Sequence, residues 1–198
     1  MRKAIFTTKI IAVDAVFMAL TVILSMSVFS IPTPGGHLYL CDVVICLASL
    51  VLDPFSAFIV GGIGSFLGDM LFYPAPMFVS LVTHGLQAVI ISLFSYLAKR
   101  KGLKLFDVFG LAIGAIVMVA GYTFGRAFVY ADMKTSLVKL PFEIVQAVFG
   151  AVVGFVLYKI LAKRRVFIDV EWGKLSPKKY DDIYERERGK QVDKTENE

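Results

Sequence analysis

Six apolar stretches divide the chain, at 9–30, 42–53, 54–72, 77–98, 105–130 and 140–162. A helix needs roughly 20 mostly apolar residues to cross about 30 Å of hydrocarbon, and most of these runs have that length. From Ile10 to Ile31 the one ionisable residue is Asp14. Basic residues precede this first run as they would in a signal peptide, but further runs follow and no small-residue cleavage site stands out, so it reads as a permanent helix. The run 42–53 is short for a full crossing. The next carries Gly61, Gly62, Gly64 and Gly68, which predicts tight packing against neighbours.

Proline and glycine punctuate the pattern at Pro32 and Pro34-Gly35-Gly36, at Asp53-Pro54, at Pro74 and Pro76, at Lys101-Gly102 and at Leu140-Pro141. Connections this short imply antiparallel neighbours. The pattern therefore predicts an all-α membrane protein: a six-transmembrane-helix bundle with short loops over residues 1–163, then a charged cytoplasmic tail over 164–198. The tail mixes Lys, Arg, Asp and Glu, with an apolar patch from Val166 to Leu175 around Trp172. It reads as a partly disordered appendage, inert or resting on the membrane or a partner subunit.

Charge fixes the orientation. Arg2, Lys3, Lys9, Lys99, Arg100, Lys101, Lys104, Lys159, Lys163, Arg164 and Arg165 fall on one side of a six-span arrangement, with only Lys134 and Lys139 opposite. By the excess of Lys and Arg on cytoplasmic loops, both termini are inside the cell. Composition agrees: 57% of the 198 residues are hydrophobic, and the net charge of +5 clusters at span ends, which gives no reason to infer a nucleic-acid partner. Cys41 and Cys46 are five apart, a spacing that matches neither a zinc ribbon nor a redox pair.

Polar side chains inside a membrane are costly, so those that face a bundle interior are functional candidates. Asp14, Asp42, Asp69, His84, Gln87, Tyr122, Arg126, Glu143 and Gln146 form the set, and most fall toward the outer half. His37, Tyr39 and Asp42 follow the Pro-Gly-Gly turn, where a loop can fold over a cavity; Asp42 either caps the second helix or also reaches a ligand. His84 and Gln87, three apart, share a helix face. Arg126 and Glu143 either pair with each other or meet the ligand, and an arginine aimed into a cavity would favour an anionic or acceptor-rich group. Phe72, Tyr73, Phe78, Tyr122 and Tyr130 are candidate walls. Ala12, Ala15 and Ala19 give the first span a small-residue face for close helix approach. A serine-protease dyad of Ser65 and His84, or a metal site of His37, Cys41, Asp42 and His84, is chemically conceivable but has little support, and neither a metal nor a cofactor is expected. The sequence has no Walker-type phosphate loop, so any ATP would be hydrolysed by another subunit.

Taken in order, Ile31-Pro32-Thr33-Pro34-Gly35-Gly36-His37-Leu38-Tyr39-Leu40-Cys41-Asp42, then Gly61 through Asp69, then Gly121-Tyr122, then Leu140 through Gln146 with Gly150 resemble the S components of energy-coupling factor transporters. The resemblance is to the group with riboflavin-, pyridoxine- and hydroxymethylpyrimidine-type members, and it covers 10–162. It implies an outward cavity closed by the first outer loop, capture of a small water-soluble vitamin or precursor, and no enzymatic activity of its own. It also implies docking of the Ala15 and Ala19 face on a membrane coupling subunit driven by two cytoplasmic ATPases. Cys41, His84 and Arg126 depart from the family pattern at cavity positions. The competing reading is a self-sufficient small secondary transporter, although no internal repeat supports it.

Overall fold

The computed structural model describes residues 8–26, 30–34, 36–103, 105–164 and 166. The expected tail therefore lies outside the described residues, apart from Arg164 and Val166. Six helices and one small hairpin make up the described chain: α1 (Thr8–Leu24), β1 (Ile31–Thr33), β2 (Gly36–Leu38), α2 (Cys41–Val51), α3 (Pro54–Phe72), α4 (Met77–Lys101), α5 (Leu105–Tyr130) and α6 (Met133–Lys163). Four of them, α3 to α6, are long and apolar enough to cross a membrane. At 17 residues α1 reaches about 25 Å and at 11 residues α2 about 16 Å, both short of the hydrocarbon thickness.

The short helix is the centre of the bundle. Ten of the eleven residues of α2 are buried, and it packs against α1, α4 and α6, while α3 joins α1 to α4 and α5 joins α4 to α6. The core accordingly draws on every helix: Val44, Leu47, Leu50 and Val51 of α2 meet Phe17, Val60, Ile91, Leu111 and Tyr158. A helix end buried away from water leaves backbone carbonyls that need donors. At the C-terminus of α2 these come from α4: Ser95 Oγ and Lys99 Nζ donate to the Leu50 carbonyl, and Ser92 Oγ to that of Leu52.

Local chemistry sets the other boundaries. Asp53 caps α3 by accepting from the backbone N–H groups of Phe55 and Ser56, with Pro54 in the first turn. Gly102 ends α4 at φ +70°, in the left-handed region open to glycine. Two π-helical turns, Ile59–Ile63 and Arg126–Tyr130, interrupt α3 and α5.

Three expectations are corrected. Leu140-Pro141 is not a turn: Asp132 caps the last helix by accepting from the Thr135 N–H, so α6 begins at Met133 and Pro141 lies inside it. Membrane helices tolerate an internal proline where neighbouring groups or local adjustments of the helix satisfy the backbone carbonyl it frees. The Pro-Gly segment after α1 is not purely loop, because Ile31–Thr33 pairs antiparallel with Gly36–Leu38, Pro32 opposite His37. Asp42 caps nothing, since α2 starts after Leu40 with no side-chain cap and the Asp42 carboxylate turns toward α4 and α6 instead.

Glycines on α6 let it lie directly on α2. A Cβ at Gly150 would stand 2.5 Å from Asp42 Cβ, and one at Gly154 2.8 Å from Cys46 Cβ. Overpacking of this kind costs about 1–3 kcal/mol. Gly150→Ala is therefore expected to lower the thermal unfolding midpoint in detergent, whereas an unchanged midpoint would contradict this close α2–α6 contact.

Candidate ligand-binding site

Above α2, a cavity opens between the N-terminal half of α4, the last turns of α5 and the N-terminal half of α6, with the hairpin across it. Counted out past its mouth into open solvent, the space is about 610 Å³. His37, Tyr39, Asp69, His84, Tyr122, Arg126, Glu143 and Gln146 line it, as do Tyr73 and Tyr130. Asp42 and Gln87, the remaining two of the ten proposed residues, sit behind the wall, each 1% exposed.

These two hold the wall residues in place. Asp42 accepts from Gln87 Nε2 at 3.2 Å and from Gln146 Nε2 at 2.6 Å, one amide on each oxygen. Gln146 Oε1 accepts the Tyr39 backbone N–H at 2.9 Å, and Gln87 Oε1 lies 2.7 Å from His84 Nδ1. The buried carboxylate is thus satisfied by neutral donors from two helices. The His84 ring in turn meets Tyr122 edge-on, with centroids 5.2 Å apart.

A second set forms the charged side of the cavity. Arg126, placed by the π-helical turn of α5, donates to the Glu143 carboxylate on α6, and Thr123 Oγ1 is 3.4 Å from the same carboxylate. Asp69 accepts from Ser80 Oγ, which also contacts the Tyr122 hydroxyl. The Arg126 cation is therefore met by Glu143.

Lys139 was read as an outer-loop cation, and the structure places it inside. Once α6 starts at Met133, Lys139, Glu143 and Gln146 fall on one helical face at i, i+4 and i+7, and all three are buried. The Lys139 ammonium donates to Thr33 Oγ1 on β1 and to the His37 carbonyl on β2, each at 2.6 Å. The hairpin is held over the cavity by this lysine and by Gln146. Cys41 also lines the space, as do Ser25, Ser65 and Met118, which had not been singled out as ligand contacts.

Other readings find different places. Phe72 and Phe78 are 40% and 62% exposed and do not line the cavity; Phe78 packs on Phe66 instead. Asp14 is buried in α1 away from the lining residues. Cys41, Asp42 and His84 put donor atoms within 4.8 Å of one another, but both Asp42 oxygens and His84 Nδ1 are already committed to glutamine amides, so a shared ion would have to break that network. Ala12, Ala15 and Ala19 are exposed on α1, among exposed Ile11, Val16, Leu20 and Ile23. In the connecting segments, burial pushes the Tyr39 phenol up to about 12, and the hydrogen bonds from Thr135 hold the Asp132 carboxyl below its ordinary value.

Comparison with known proteins finds a match of residues 5–163 to the family model described as ECF-type riboflavin transporter, S component. The chain is 34% identical over 146 residues to an uncharacterized protein in a gap 3' region from Pyrococcus woesei, covering 74% of this chain and 96% of that one. It is also 34% identical over 152 residues to the thiamine precursor transporter HmpT of Lactococcus lactis subsp. cremoris, covering 75% of this chain and 82% of that one.

Removing one partner of a buried ion pair strands the other charge, at a cost of about 3–5 kcal/mol. Glu143→Gln is expected to lower the thermal unfolding midpoint further than the double replacement Arg126→Met with Glu143→Leu, which removes both charges. Equal losses in the two would mean that Arg126 and Glu143 do not stabilise one another.

Proposed function

The chain belongs to the family of ECF-type riboflavin transporter S components, and on that footing we propose that it captures a neutral, heterocyclic vitamin or vitamin precursor in the cavity beneath the β1–β2 hairpin. It is a multi-pass membrane protein and a transport subunit. The observation that carries the proposal is the charge balance of the site. Arg126 and Lys139 face Glu143 and Asp69 in a lining otherwise made of tyrosines, histidines, neutral polar groups, Pro76 and Met118. Such a surface suits an uncharged ring with several donors and acceptors, and Tyr73, Tyr122 and Tyr130 offer it flat apolar contact. Riboflavin, from the family, and a thiamine-precursor pyrimidine, from the Lactococcus relative, are the two ligands to test. In this reading His37, Tyr39, Asp69, His84, Tyr122, Arg126, Glu143 and Gln146 contact or enclose the ligand, while Asp42 and Gln87 position them.

The six-span arrangement with both termini in the cytoplasm is part of the same proposal. The fifteen-residue step from His84 to Lys99 separates the cavity from the basic end of α4 by about 22 Å along the helix. Lys99, Arg100 and Lys101 end α4, and Lys159 and Lys163 end α6, which supports a cytoplasmic face opposite an outward cavity. A membrane coupling subunit would dock on the Ala12, Ala15 and Ala19 face of α1, and two cytoplasmic ATPases would supply the energy. The exposed small residues among exposed aliphatic ones support that docking face.

Mass spectrometry of small molecules released by heat from the protein purified in mild detergent tests the capture. Riboflavin, a pyrimidine precursor or a related heterocycle is expected at near one per protein. If no such compound is released, and neither added riboflavin nor hydroxymethylpyrimidine raises the melting temperature, the proposal fails and the independent-transporter reading takes its place. For the docking face, Ala15→Trp is expected to abolish co-purification with the coupling subunit and ATPases while the released vitamin stays at the same ratio. Undiminished co-purification would place the interface elsewhere.

A further inference from the structure

The hydrogen bonds behind the cavity wall leave little choice about which way each group points. A backbone N–H can only donate, so the atom of Gln146 that receives Tyr39 is its oxygen, and its NH₂ faces Asp42. A carboxylate can only accept, so Gln87 also turns its NH₂ to Asp42. That directs Gln87 Oε1, an acceptor, at His84 Nδ1, 2.7 Å away. The contact is a hydrogen bond only if Nδ1 carries the proton. In a neutral ring the lone pair then lies on Nε2, at the opposite edge. His84 lines the cavity, and its Nε2 has no hydrogen-bond partner among the described residues.

We infer that His84 serves the ligand site as a neutral hydrogen-bond acceptor, with its tautomer set by the Asp42–Gln87 relay, and that the ligand is recognised there through an N–H or O–H donor. The inference rests on the reading of this cavity as the vitamin site. It narrows the ligand class to heterocycles that present a donor at the ring edge. The imide N–H of riboflavin and the amino group of hydroxymethylpyrimidine both qualify, so the chemistry is shared and the two sources must be separated by experiment. Gln87 is in this account a positioning residue: it touches no ligand, but it decides which side of the imidazole carries the lone pair. Asp42, Asp69, Arg126, Lys139 and Glu143 are the charged groups around the ring; Asp42 Oδ1 lies 3.7 Å from Nδ1, and none of them meets Nε2 at hydrogen-bonding distance among the described residues.

The test is nitrogen NMR of the full chain labelled with ¹⁵N-histidine in lipid nanodiscs. The sequence has two histidines, and the signals lost in His84→Gln belong to His84. Without ligand, Nδ1 is expected to carry the proton and Nε2 to show an unprotonated resonance, and Gln87→Met should remove that preference. Riboflavin and hydroxymethylpyrimidine are then added separately. The one that binds is expected to shift the Nε2 resonance toward the hydrogen-bonded position, and His84→Phe should weaken it roughly tenfold or more. A ligand-free ring protonated on Nε2, or on both nitrogens, overturns the inference even if a vitamin binds. A bound vitamin that leaves Nε2 unmoved overturns the acceptor role. If neither compound binds while Nδ1 keeps the proton, the vitamin reading fails and takes the ligand half of the inference with it, and the relay stands.

Discussion

Asp42 carries the constraint on which the site depends. A carboxylate with 1% exposure at the start of the most deeply buried helix is tolerable only if both of its oxygens are met. Gln87 from α4 and Gln146 from α6 meet them. Three helices are thereby fixed relative to one another at the floor of the cavity, and each glutamine passes the order on, one to the hairpin backbone at Tyr39 and the other to the His84 ring. At the far end of α2, donors from α4 satisfy the buried carbonyls in the same way. A helix of eleven residues can thus sit at the centre of the bundle without spanning it.

The apolar runs revealed most of the helices because a bilayer leaves only helices and closed barrels as spanning structures. Asp53-Pro54 and Gly102 end or begin helices by local chemistry that the sequence displays directly. Pro141 misled because a proline outside water does not have to end a helix, and the true start was signalled by Asp132 with Thr135 three residues later. That one boundary hid Lys139, which looked like a loop cation until α6 was seen to run through it. The hairpin was hidden for another reason: three-residue strands are too short to show an alternating pattern.

The site was half legible. Residue types scarce in membranes picked out eight side chains that line one cavity and two that brace it. Which side chain does which work was not legible, because it depends on contacts such as Asp42 with Gln146, 104 positions apart. Asp42 looked like a helix cap by its place after the loop, yet the bonds it makes are to side chains of other helices. For Arg126 the sequence left two readings open, a pair with Glu143 or a contact to an anionic or acceptor-rich ligand. The structure pairs it with Glu143 across the gap between α5 and α6.

The cavity and the hairpin held beside it by Lys139 and Gln146 are where the account places its ligand. The most direct measurement is a structure of the protein saturated with the vitamin it binds. The account predicts ligand density between Tyr122, His84 and Gln146, beneath Tyr39, with the hairpin still held by Lys139. Density at any other place in the bundle, with this cavity filled by solvent, would contradict it.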